Sequence, residues 1–194
     1  MTLWRNVLSV SLLLALSGSA ACGGDGNEAT TAPTPTTAPV PTAPPPTTRP
    51  GPAPTFATLP PPQGVESFDV SPSHTTEPVS YPQTPPVGGA HHGTWETCVF
   101  RDRPVPSETA VHSLEHGAIW ITYRPDVPAD QLAVLSRLAD TRRDVLVSRW
   151  DSGLPAPLVA SSWGRQLKLD TATDPRLMQF ILAFSGRGPE SAPC

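Results

Sequence analysis

The sequence predicts an α+β fold: one small domain with a mixed β-sheet and packed helices, carried behind a disordered Pro/Thr-rich linker. Three observations predict it. A length of 194 residues is long for one domain and short for two, so a single globular unit with something attached is expected. Proline, threonine and alanine dominate the stretch from Thr30 to Pro62, which has too little apolar surface for a core. After Ala118, short β-branched and aromatic runs alternate with runs whose apolar residues recur at helical spacing.

Taken in order, residues 1–21 read as an export signal. Arg5 supplies a positive start, and "VLSVSLLLAL" from Val7 to Leu16 is an apolar run short for a bilayer span. "SGSAAC" then leads small residues into Cys22, which resembles the lipid-attachment motif of bacterial lipoproteins, with Ser19 where that motif usually has leucine. Residues 22–64 form the lipid-anchored, disordered linker. Proline fixes φ and removes backbone donors, so the segment stays extended and solvated. At roughly 3.1 Å per residue in polyproline II it holds the domain on the order of 100 Å from its anchor. Its Thr and Pro content also suits O-glycosylation.

Residues 65–194 form the domain. "TWETCVF" is a candidate strand. "SETAVHSLEH" reads as two helical turns, with Ser107 as cap and Gly117 to end them. "AIWITYR" is a strand. "PDVPADQLAVLSRLADTRR" is a helix with Asp126 as candidate cap, Pro128 near the first turn, and Leu132, Leu135, Leu138 and Ala139 on one face. "DVLVSRW", "PLVASSW" and "RQLKLD" are three further strands, the first closed by a turn at "DSG". Asp174 caps a last helix, with Pro175 at its first position and Leu177, Phe180, Ile181 and Phe184 buried. This order fits a thioredoxin-like topology loosely, but there is no Cys-x-x-Cys, so no redox function follows.

With Cys22 lipidated, Cys98 and Cys194 remain as an even pair in an oxidising compartment. A bridge between them is expected, and the long loop it closes would contribute roughly 4 kcal/mol in the chain-entropy model. Two free thiols, or Cys98 as a soft metal ligand near His91 and His92, are the alternatives. The net charge of −4 and the lack of a basic run exclude a nucleic-acid surface. The partners expected are the membrane, through the lipid anchor on the outer face of the cytoplasmic membrane, and a protein at the cell envelope.

Chemistry concentrates in "VHSLEHGAIW". On a helix, His112 and His116 stand at i and i+4 and project from one face, where two imidazoles can share a first-row metal ion. Glu115 can reach the same ion or a water on it. The order His-x-x-Glu-His matches the inverted zinc-peptidase motif, whose glutamate is a general base, but such a peptidase needs a distal third ligand and a substrate cleft. Binding without catalysis asks for less. "GGAHHGTW" places His91 and His92 in a glycine-rich loop that can turn either imidazole toward the helix. Three imidazoles and a carboxylate suit zinc or copper. Against a metal, histidines beside a glycine turn often serve only backbone hydrogen bonds, and Glu115 can pair with Arg101, Arg103 or a histidine. No Gly-x-Ser-x-Gly turn exposes Ser161 or Ser162 as a nucleophile, and no glycine loop cradles phosphate.

Set side by side, "YPQTPPVGGAHHG", "VHSLEHGAIWITY" and "SSWGR" resemble the bacterial family called domain of unknown function 3105. The likeness spans about residues 78–190. It rests on Tyr81, Pro85, Pro86, Gly89 and His91; on His112, Leu114, Glu115, His116 and Gly117; on Trp163, Gly164 and Arg165; and on Phe180, Pro189 and Glu190. Val87, Gly88 and Ala90 depart from its usual residues. The resemblance implies His91 rather than His92 as the third histidine, and it supplies no reaction. The function expected is therefore non-catalytic binding of zinc or copper by His91, His112, Glu115 and His116. An interaction domain with structural histidines and a metal-dependent hydrolase are the alternatives.

Overall fold

The computed structural model describes residues 60–190, 192 and 194. The expected signal, the lipidation site Cys22 and nearly all of the linker lie outside the described residues. Among the described residues no helix is long and apolar enough to cross a membrane.

Among the described residues there are three helices and a six-stranded mixed sheet, with a two-stranded pair beside it. In chain order the elements are β1 (Glu66–Ser67), β2 (Ser73–His74), β3 (Ala90–His91), β4 (Phe100–Arg101), α1 (Ser107–Glu115), β5 (Ile119–Tyr123), α2 (Ala129–Thr141), β6 (Val145–Arg149), β7 (Leu158–Ser162), β8 (Arg165–Leu169) and α3 (Pro175–Phe184). The large sheet runs β1-β8-β7-β5-β6-β4. Strands β4, β5 and β6 are parallel, and β7, β8 and β1 join them through antiparallel pairings.

Side-chain alternation sorts the strands' residues onto two faces. Ile119, Ile121, Tyr123, Val145 and Val147 pack with Leu135 of α2 and Leu177, Phe180 and Ile181 of α3. Trp120 and Leu146 point the other way, against Ala110 and Leu114 of α1. Both faces are covered, which is why these strands read as continuous apolar runs. Trp120 is fully buried, and its indole N–H donates to Ser148 Oγ at 2.9 Å.

Asp174 caps α3 as expected, accepting the Arg176 amide, with Pro175 inside the first turn. The other two caps differ from expectation. Pro106 and Pro128 hold the N-cap positions of α1 and α2, and neither helix has a side-chain cap. Ser107 is thus the first residue of its helix and Asp126 stands outside α2. In both places a proline with extended ψ delivers the chain to the helix start, a geometry its fixed φ favours. The strand expected over "TWETCVF" is only Phe100–Arg101. The residues before it form a strap across α1, where the Glu96 amide donates to Ser113 Oγ and the same hydroxyl donates back to Glu96 O. Cys98 and Cys194 are joined by a disulfide across 96 residues.

Candidate metal centre

Helix α1 positions the site. Its residues from Ala110 to Glu115 are all buried, because Ala110 and Leu114 face the sheet while His112 and Glu115 lie under β2, β3 and the strap. Gly117 ends the helix at φ 93° and lets the chain turn into β5; a Cβ there would come within 2.7 Å of Gly186 Cα. This close approach brings the C-terminal tail over the end of α1, where the Gly186 amide donates to Gly117 O and the Glu190 amide to Glu115 O.

His91 arrives on β3. The parallel pairing of β2 with β3 places His74 beside His91 in register, and the Thr75 amide donates to His91 O at 2.8 Å. Tyr81 fixes the strand by donating its hydroxyl to Ala90 O at 2.7 Å. Burial, together with the nearby Glu108 carboxylate, pushes the Tyr81 phenol well above its ordinary range, so it stays protonated as that donor. The loop before β3 is held from the other side: Gly164 donates its amide to Val87 O, and Gln166 donates its side-chain amide to Pro85 O. Trp163 meets His91 edge-on at 6.0 Å.

Four side chains converge here. Around Glu115 Oε2 stand His91 Nε2 at 2.9 Å, His74 Nε2 at 3.5 Å and His112 Nε2 at 4.0 Å. A tetrahedral ion with bonds of 2.0–2.1 Å sets its ligand atoms about 3.3 Å apart, which these separations bracket. The tautomers follow from the far side of each ring. His91 Nδ1 contacts Gly89 O at 2.8 Å and His112 Nδ1 contacts His92 O at 2.7 Å. A carbonyl only accepts, so both Nδ1 atoms carry protons, and in the neutral rings both Nε2 atoms carry the lone pair. This second-layer arrangement is the one that orients metal-binding imidazoles. Burial lowers the pKa of His112; the like charges of His116 and His91 add to this, while its bond to His92 O and the Glu115 carboxylate oppose it.

His116 does not join that group. Its Nε2 lies 3.0 Å from His112 Nε2 and 3.6 Å from Glu190 Oε2, forming a second group of His112, His116 and Glu190. The four residues expected to form one centre are thus spread over two adjoining groups that share His112. His92 belongs to neither group, and Glu115 pairs with histidines rather than with Arg101 or Arg103. Sequence reasoning missed His74. It is a lone histidine in a segment with no periodicity, and only the β2–β3 register brings it to the site. Glu190 was visible as part of the Pro-Glu marker, though not as a neighbour of His116.

The family described as Protein of unknown function (DUF3105) matches residues 73–194, more than half of the chain. No curated protein matches, and no solved structure does.

Proposed function

The chain belongs to the DUF3105 family, and we propose that the domain binds one divalent metal ion, zinc or copper, through His74, His91, His112 and Glu115, in a sensing, storage or partner-binding role. The observation that carries this is the orientation of His91 and His112. Each ring is locked by its Nδ1–H on a backbone carbonyl, so each presents Nε2 to the Glu115 carboxylate. In addition, the 2.9 Å contact between His91 Nε2 and Glu115 Oε2 requires either a second proton or a cation between them. A metal ion meets that requirement and draws in His74 and His112 at the same time. Export, a lipid anchor at Cys22 and the proline-rich stalk are parts of the same proposal, and place the site at the outer face of the cytoplasmic membrane.

Hydrolysis fits less well. The inverted-peptidase mechanism needs Glu115 as a free base on a metal-bound water, whereas its carboxylate oxygen is the atom three histidines surround. The structural-histidine alternative has one point in its favour, since 2.9 Å is an ordinary hydrogen-bond distance. Titration of the tag-free full chain with Co(II) separates metal binding from the structural-histidine alternative. The wild type is expected to take one equivalent, with the visible absorption of a four-coordinate ion. Glu115→Gln and His91→Ala are expected to weaken binding by 10-fold or more, given that even outer supporting residues cost about 10–100-fold. Unchanged affinity in both folded variants would reject the site.

A further inference from the structure

The second group has features of its own. His112 Nδ1 is committed to His92 O, so its single lone pair on Nε2 can serve one ion at a time. Its two neighbours there differ in setting. His116 is buried, and its Nδ1 has no hydrogen-bond partner among the described residues. The Glu190 side chain is 53% exposed. His116 Nδ1 lacks a partner in either tautomer, so what favours an ion is Nε2, which stands 3.0 Å from His112 Nε2 and 3.6 Å from Glu190 Oε2.

Glu190 is held in place from both sides. Gly186 and Glu190 bond through their amides to Gly117 O and Glu115 O, and the disulfide fixes Cys194 four residues beyond. A cavity of about 340 Å³ reaches the group at His116 alone, and its other lining residues include Arg143, Asp144, Ser185 and Cys194. Trp95, 51% exposed, lies over both rings, with centroids 5.6 Å from His112 and 5.0 Å from His116.

We propose that His112, His116 and Glu190 form a second position for a divalent metal ion, mutually exclusive with the first, buried one around Glu115 because both use His112 Nε2. Three protein ligands beside a cavity leave a fourth position for water or a small ligand, as open metal sites do. The proposal rests on the metal reading of the buried cluster only through the shared histidine, so the two can fail separately.

Co(II) titration of the full chain, with circular dichroism to verify folding, tests it. Wild type is expected to saturate at one equivalent. His91→Ala, which breaks the buried position, should still take one equivalent, with a shifted visible spectrum. Adding Glu190→Gln to that variant should reduce one equivalent to none. Should His91→Ala fail to fold, His91→Gln serves in its place. Two equivalents in the wild type would overturn the exclusivity. No binding by folded His91→Ala, with the wild type still binding one, would overturn the second position and leave the buried one standing. No binding by the wild type would overturn both.

Discussion

At the scale of single residues, what a side chain touches decides what the sequence could reveal about it. His112, Glu115 and His116 were legible because helical spacing alone sets them near one another, whereas the glycine loop offered His91 and His92 alike and only the family resemblance chose His91. His74 was not legible, since its place depends on a two-residue pairing with β3 that no pattern announces. Asp144 was equally silent. It accepts two hydrogen bonds from Arg142, at 3.2 and 2.8 Å, and one from the Ser185 hydroxyl, linking the end of α2 to the end of α3. Burial works against its charge, but these partners outweigh burial and hold its carboxyl below the ordinary value. A depressed folded-state value means that the stabilisation is fully present above the unfolded value, about 3.9, and is lost as pH falls through the folded one. Denaturant midpoints measured across the acid range should therefore fall more steeply for the wild type than for Asp144→Asn. Parallel curves would show that the Asp144 contacts contribute nothing.

At the scale of elements, the long ones were readable and the short ones were not. Strands β5 to β8 are each five residues with buried faces, and α3 carries both a capping aspartate and an N1 proline. Strands β1 to β4 have two residues each, too few for any period to register. The starts of α1 and α2 were misassigned because a side-chain cap was expected where proline geometry does the job. The turn after α1 gives a sharp test of how the site is assembled. Gly117→Ala must hold φ near 93° and place its Cβ against the Gly186 backbone. Left-handed backbone costs an alanine about 1–2 kcal/mol, and the steric overlap adds to that, for a total of roughly 2–4 kcal/mol. Thermal unfolding of the variant should show this loss. A melting temperature equal to wild type would mean the tail does not pack on α1 as described.

At the scale of the whole molecule, segments distant in sequence meet on one helix. Residues 74, 91 and 190 reach α1 from β2, β3 and the C-terminal tail, and the Cys98–Cys194 bridge joins the strap to that tail. The segments that carry the family likeness take part in this assembly: Tyr81 and Gly89 support β3, Gly164 holds the loop before it, and the Pro-Glu segment supplies Glu190. An ion at their meeting point would bind the folded chain and not the unfolded one, and so would stabilise the domain by mass action. The most direct measurement is elemental analysis of the tag-free full chain after exhaustive dialysis, paired with X-ray absorption at the edge of whichever metal is found. One zinc or copper per chain is expected, with nitrogen and oxygen neighbours near 2.0–2.1 Å, most of them imidazole. A folded protein that retains no metal and takes up none when zinc or copper is supplied would contradict it.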